Sequence, residues 1–345
     1  MKKILFAALA ALAITSCTQN EEIEAPSQKS EIKFNTAVSK TSRAADITTD
    51  GFKAFKSYAY NHANAWTSAT TINSFFSNID YSTTDNTNWI GKKNDVTQTF
   101  YWPATDYVSF FAYFDASNSA TWGEPDAKGA PTLTYTVQDK VNEQKDLVVA
   151  ELLDKQRNQT AGGTTATVSL VFKHALTKIG FQIKGEGTSI SYTVNSITIN
   201  AKNKGIYTYS ATTTGANTET VLGNWDTTAG TKTSYVITLE ADDKIITAAE
   251  SATSLTNNEK YVAMLIPQDL DENVTIEVNY KAELNGVTLC DKTTNPEVIT
   301  LKDTTAPWQP GKSIIYTLNL KGGETMSISG NYTSTWDDAA EELNK

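Results

Sequence analysis

The sequence predicts an all-β chain of two tandem β-sandwich domains, and three observations carry that prediction. Apolar residues recur with period two in segment after segment, as in Ile32, Phe34, Thr36 and Val38, or Ile314, Tyr316, Leu318 and Leu320. Residues at that spacing share one face of a strand. The composition is rich in Thr and carries 15 Tyr, 12 Phe and 7 Trp, residue types that suit a pleated, half-buried surface. Finally, 345 residues exceed the roughly 100–200 of one ordinary domain.

The first residues stand outside that fold. Lys2 and Lys3 precede an apolar run from Ile4 to Ile14, too short to span a bilayer and of the form of a secretory signal, so residues 1–16 read as a signal peptide. It ends in Ile14, Thr15, Ser16 and Cys17. This end resembles a bacterial lipobox, in which the thiol of Cys17 accepts a lipid anchor, and palmitate labelling is the corresponding test. Residues 17–30, with Glu21, Glu22 and Glu24, form an acidic tether.

The N-terminal domain is expected over residues 31–185. Its first strand spans 31–43, with Ile32, Phe34, Thr36 and Val38 on one face and Glu31, Lys33 and Asn35 on the other. Arg43 closes it and Ala44 follows; Arg157 is the other arginine in the chain. An arginine at that place suggests a removable strand. Strands are further expected at Phe52–Tyr60, Tyr107–Phe114, Leu133–Val137 and Asp146–Leu153, the last with a short helical end. Ile72–Ile79 fits helix or strand. Pro103 cannot donate to a ladder, so Trp102 should end one strand. Val168–Phe172 and Ile179–Phe181–Ile183 alternate, with Lys173–Thr177 as the reversal of a hairpin. A boundary falls at Gly185–Gly187, with the loop near residue 163 as its rival.

The C-terminal domain is expected over 186–345. Strands are expected at Val194–Ala201, Gly205–Tyr209, Tyr235–Leu239, Tyr261–Ile266 and Val274–Tyr280, and a short helical piece around Ala248–Ser254. Asn285-Gly286 is a hairpin turn signal. The chain closes with a hairpin: Ile314–Leu320, a Gly322-Gly323 turn, then a strand over 325–336 that places Met326, Ile328, Gly330, Tyr332 and Trp336 on one face.

Charge and reactive residues exclude several classes. The formal net charge of −10 argues against a nucleic-acid partner, which demands clustered cations. Cys17 lies in the targeting segment, leaving Cys290 alone in the body and no disulfide there. With only His62 and His174, no zinc-ligand spacing exists, so no metal or cofactor is expected. A Cys290–His174 nucleophile pair lacks any local signature, and Asp242-Asp243 and Asp337-Asp338 read as solvated charge. An enzyme is not expected.

The order of motifs resembles the fimbrillin family, the type V pilins of Gram-negative anaerobes. The residues that carry the resemblance are the lipobox at Cys17, Thr41-Ser42-Arg43-Ala44, Tyr101-Trp102-Pro103, Phe111-Ala112-Tyr113, Asp146-Leu147, Phe172–Phe181, Leu265–Gln268 and Trp308–Leu320. It implies two transthyretin-like β-sandwiches and a lipoprotein precursor on the outer membrane, cut after Arg43 by an arginine-specific surface protease. It also implies that the vacancy left by Ile32, Phe34, Thr36 and Val38 is refilled by the C-terminal strand of an identical or related pilin subunit. The product would be an extracellular fimbrium that contacts host or bacterial surface ligands, and a chain with both the arginine and the donor strand fits a stalk position. The competing expectation is a monomeric surface lipoprotein that binds glycans through exposed aromatics, with Trp66, Trp89, Trp122 and Trp225 as the residues concerned.

Overall fold

The computed structural model describes residues 30–38, 51–126, 129–157, 167–212, 220–247, 252–256, 259–302, 307–323 and 325–335. Its strands, in chain order, are β1 (Lys33–Val38), β2 (Ala54–His62), β3 (Asn73–Ser82), β4 (Ile90–Lys93), β5 (Val96–Gln98), β6 (Tyr107–Asp115), β7 (Thr121–Gly123), β8 (Thr132–Thr136), β9 (Leu147–Lys155) and β10 (Thr167–His174). They continue as β11 (Thr177–Gly185), β12 (Ile190–Lys202), β13 (Lys204–Thr208), β14 (Asn224–Asp226), β15 (Lys232–Thr238), β16 (Ile245–Thr247) and β17 (Thr253–Ser254). The last are β18 (Ala263–Leu265), β19 (Thr275–Leu284), β20 (Val287–Asp291), β21 (Glu297–Thr300), β22 (Lys312–Leu320) and β23 (Ser327–Thr335). Among the described residues the helical pieces are three single 3₁₀ turns. The all-β prediction stands.

Four sheets hold these strands. The largest runs β1-β10-β9-β6-β2-β3-β4-β5, and a smaller one runs β14-β13-β8-β7. The others are built on β17-β11-β22-β23, with β18 beside β11, and on β15-β12-β19-β20, with β16 and β21 attached. The central strands β6 and β9 are buried on both faces. Val108, Phe110 and Ala112 of β6 face one core while Phe111 and Tyr113 face the other, which is why their sequences read as unbroken apolar runs. The first core gathers residues from β1, β2, β3, β6, β9 and β10. The second runs from the opposite face of that sheet through β8 and β13 into β11, β12, β19 and β22.

Several local expectations resolve here. Residues 73–79 lie in strand β3, with Ile72 just before it, and β9 stays extended to Lys155 with no helical end. Asn285 and Gly286 have φ of 48° and 80° and join β19 to β20, the paired positive angles that a tight hairpin turn requires. The buried residues of β12 switch from Tyr192 and Val194 to Ile197 and Ile199 because a bulge shifts the register between Val194 and Ser196. In the segment expected to form a strand at 261–266, Tyr261 ends a 3₁₀ turn and only Ala263–Leu265 is strand. Of the helical piece expected at 248–254, residues 248–251 lie outside the described residues and Thr253–Ser254 are strand.

One expectation is overturned. β10 and β11 do not form a hairpin: β10 pairs with β1 and β9, whereas β11 pairs with β17, β18 and β22. Ala175 and Leu176 carry the chain from one sheet to the next. The crossing is fixed by backbone bonds, Ala175 N donating to Leu147 O at 2.9 Å and Gly311 N to Leu176 O at 3.0 Å. Beside it, His174 Nδ1 lies 2.6 Å from Asp146 Oδ2, with both side chains fully buried. Local alternation cannot distinguish a reversal from a change of sheet, since both preserve the inward residues. Pairing also passes across residue 185, because β13 and β14 complete the sheet of β7 and β8.

Candidate functional site

The first strand is a wall of the first core. Ile32, Phe34 and Val38 are 6%, 4% and 3% exposed, Thr36 is half-buried, and Lys33 and Asn35 face solvent. Phe34 sits among three rings, with centroids 5.7 Å from Phe55, 4.6 Å from Tyr81 and 5.7 Å from Phe110, all in edge contact, a favoured aromatic arrangement.

The main-chain bonds of this strand are disposed asymmetrically. β1 runs parallel to β10, with Phe34 opposite Val168, Thr36 opposite Leu170 and Val38 opposite Phe172. At its start, Ile32 N donates to Phe100 O at 2.8 Å and Trp102 N donates to Ser30 O at 2.9 Å, around a bridge between Glu31 and Tyr101. β1 is thus the edge strand of its sheet, paired with β10 along its length and touched on its other side only at its start by residues 100–102. Without β1, the edge of β10 and the ring pocket of Phe34 become one continuous groove. An unpaired edge of that kind is a template for another strand, and seating each large apolar side chain in it is worth about 1.5–3 kcal/mol. The covalent route from β1 to β2 passes through residues 39–50, where Arg43 and Ala44 lie. Those two residues, like Cys17 and Trp336, lie outside the described residues.

The last strand is also an edge. β23 lies antiparallel to β22, with Leu318 opposite Ile328, Tyr316 opposite Gly330 and Ile314 opposite Tyr332. Met326 is 3% exposed, whereas Ile328 and Gly330 are half-buried and Ser327 and Ser329 are exposed. Its chain partner is therefore its own hairpin neighbour.

The remaining chemistry-bearing residues support the fold. His62 Nε2 lies 2.8 Å from Ser109 Oγ, and both residues are buried at 1% and 0% exposure, leaving no access for a substrate. Ser109 Oγ also accepts from Asp154 N at 3.0 Å, next to the register shift between β6 and β9. Cys290 is half-buried on β20. Among the described residues no group of three His, Cys, Asp or Glu side chains could hold a metal ion. The four tryptophans singled out for sugar stacking are in packed positions: Trp66 is 5% exposed, and Trp89, Trp122 and Trp225 are half-buried against the two cores. Trp122 stacks on Tyr58 at 3.8 Å, and Trp225 Nε1 donates to Ala175 O at 2.8 Å.

One group escaped the sequence reading. Glu151, in the middle of the apolar run of β9, is 3% exposed and accepts from Ser210 Oγ at 2.7 Å and Ala211 N at 3.0 Å. Burial pushes its carboxyl up to about 7 against these bonds. The only signal was a single acid inside Leu147–Leu153.

The fold defines a β-sandwich protein whose first strand lies at the edge of one sheet and packs into its core. The family model described as fimbrillin-like matches residues 42–336, and the chain belongs to that family. It is 29% identical over 195 residues to the fimbrium subunit Fim1C of Phocaeicola vulgatus, a match covering 51% of this chain and about half, 50%, of that relative. A crystal structure of a fimbrial protein from Bacteroides vulgatus superposes with a TM-score of 0.56 at 19% identity, over 89% of this chain and 99% of that one. A proposed cell adhesion protein from Bacteroides uniformis gives 0.51 at 16% identity, with 89% and 99% covered. These likenesses show a shared fold.

Proposed function

We propose that this chain is a structural subunit of a cell-surface fimbrium. It is exported as a precursor lipidated at Cys17, held at the outer membrane by its lipid, and cut between Arg43 and Ala44 by an arginine-specific surface protease. β1 then leaves, and the C-terminal strand of an identical or related subunit occupies the groove. Because donor and acceptor sites lie on different faces of one subunit, the contact is head-to-tail and builds a filament. The filament serves adhesion.

The observation that carries this reading is the position of β1. Three of its four inward side chains are buried in the first core, yet its strand pairing is confined to β10 and a short bridge, and its covalent link contains Arg43. Purified precursor treated with an arginine-specific protease is expected to give a ladder of oligomers that survives mild denaturant. Cleavage that yields only monomer would instead support a monomeric surface lipoprotein.

A further inference from the structure

We infer that the incoming C-terminal strand lies antiparallel to β10, reversed relative to β1, with Tyr332 at the place of Phe34, Gly330 at that of Thr36 and Ile328 at that of Val38. The inference rests on the strand-exchange reading above and specifies how the groove is filled.

The groove offers four inward positions in a fixed order. The places of Ile32, Phe34 and Val38 are closed, at 6%, 4% and 3% exposure, and that of Thr36 is half-buried. Phe34 fills a pocket lined by three rings, and Val38 stands opposite the fully buried Phe172. The C-terminal row, read every second residue, is Met326, Ile328, Gly330, Tyr332, Ser334 and Trp336.

Direction decides how well this row fits. Laid in the direction of β1 with Tyr332 at Phe34, the row puts indole at the closed place of Val38 and glycine at that of Ile32. Shifted so that Gly330 meets the place of Thr36 in that same direction, it puts Ile328 in the ring pocket and Tyr332 at Val38. Both arrangements force a ring into a site built for an isopropyl group, and overpacking of that size is strongly unfavourable. Reversed, the row replaces phenylalanine with tyrosine, valine with isoleucine, and the half-buried threonine with glycine. The remaining mismatch, Ser334 at Ile32, falls at the end of the groove beside residues 100–102. Reversal also changes the ladder. β1 pairs with β10 in parallel, and parallel pairing is slightly weaker per residue than antiparallel pairing. The strand that leaves is therefore replaced by one with the stronger bonding pattern.

The two directions place different residues opposite Lys173, which follows Phe172 on β10. The reversed strand brings Ser327 there, whereas strands in the direction of β1 bring Asp337 or Thr333. A disulfide forms only where Cα atoms come within about 7 Å, while ten residues of strand span about 33 Å, so the arms do not overlap. In a C290S background, K173C is mixed with S327C, T333C or D337C, all cleaved at Arg43, polymerised and mildly oxidised. Melting of each uncleaved variant confirms that it is folded. The expected result is a disulfide-linked dimer with S327C and none with T333C or D337C. A dimer with either of those, or polymer without any cross-link, overturns the orientation and leaves strand exchange standing. Failure of the parent protein to oligomerise after cleavage removes strand exchange itself.

Discussion

β1 and β23 are both edge strands, and they are held by different means. β1 is fixed chiefly by its side chains, with Phe34 locked among Phe55, Tyr81 and Phe110 and three of four inward positions closed. β23 is held by its ladder to β22; Met326, just before it, is buried and Ile328 is half covered. The comparison separates two kinds of edge: one whose inward side chains are closed in a core, and one whose described side chains, at Ser327–Gly330, are exposed or half-buried. A protein that assembles by exchanging strands needs both, the first to leave a demanding vacancy and the second to be free to fill it.

The largest effect should come from breaking the asymmetry at its covalent tie. Arg43→Ala should abolish protease-dependent oligomers while leaving the precursor's melting temperature unchanged, whereas Arg157→Ala should leave the ladder intact; gel analysis after digestion reads both. The next test compares the edges directly. Phe34→Ala is expected to destabilise the precursor by about 3–5 kcal/mol, as for other buried aromatic truncations, measured by urea unfolding. Ile328→Ala should cost only about 1 kcal/mol in the precursor, since a half-covered side chain forfeits little burial, yet it should shorten the polymer ladder. Equal losses at the two positions would end the distinction drawn between the edges.

Acidity should sharpen the same comparison, because Glu151 lies on β9, the neighbour of β10. Its carboxyl is raised from 4.5 to about 7 by burial, so between those values the folded chain binds more protons than the unfolded one. Its contribution to stability is thus fully present below about pH 4.5 and is lost as pH rises through 7. The difference corresponds to about 3 kcal/mol. Glu151→Gln should flatten that part of the stability profile and make the precursor more stable than wild type at pH 8, as read by melts across pH. The smallest effect is expected at Thr36→Ala, where a half-buried hydroxyl on an edge strand should change stability by no more than about 0.5 kcal/mol.

How much of this was legible in the sequence depends on whether the cause was local. The alternation of Ile32, Phe34 and Val38 was readable because one face of β1 is buried and the other wet. Asn285-Gly286 was readable because the turn needs positive φ whatever surrounds it. The terminal hairpin was readable for both reasons. The hairpin of β4 and β5 was missed although its turn, Asn94-Asp95, has positive φ at both residues, and β7 and β14 were missed because they are three-residue edge strands, too short to show alternation. The passage from β10 to β11 was misjudged because two sheets and one hairpin give the same inward pattern. Glu151 was invisible as a site because its partners, Ser210 and Ala211, arrive from about sixty residues away. Arg43 was visible only as a scarce residue in a suggestive place.

The crossing at Ala175–Leu176 has a mechanical consequence. β10, which borders the place of β1, continues through those two residues into β11; β11 is zipped to β22 over Thr177–Gly185, and β22 to β23. Tension applied between the two ends of the subunit would travel along this line of three paired strands joined by one short link, without passing through a loop long enough to stretch.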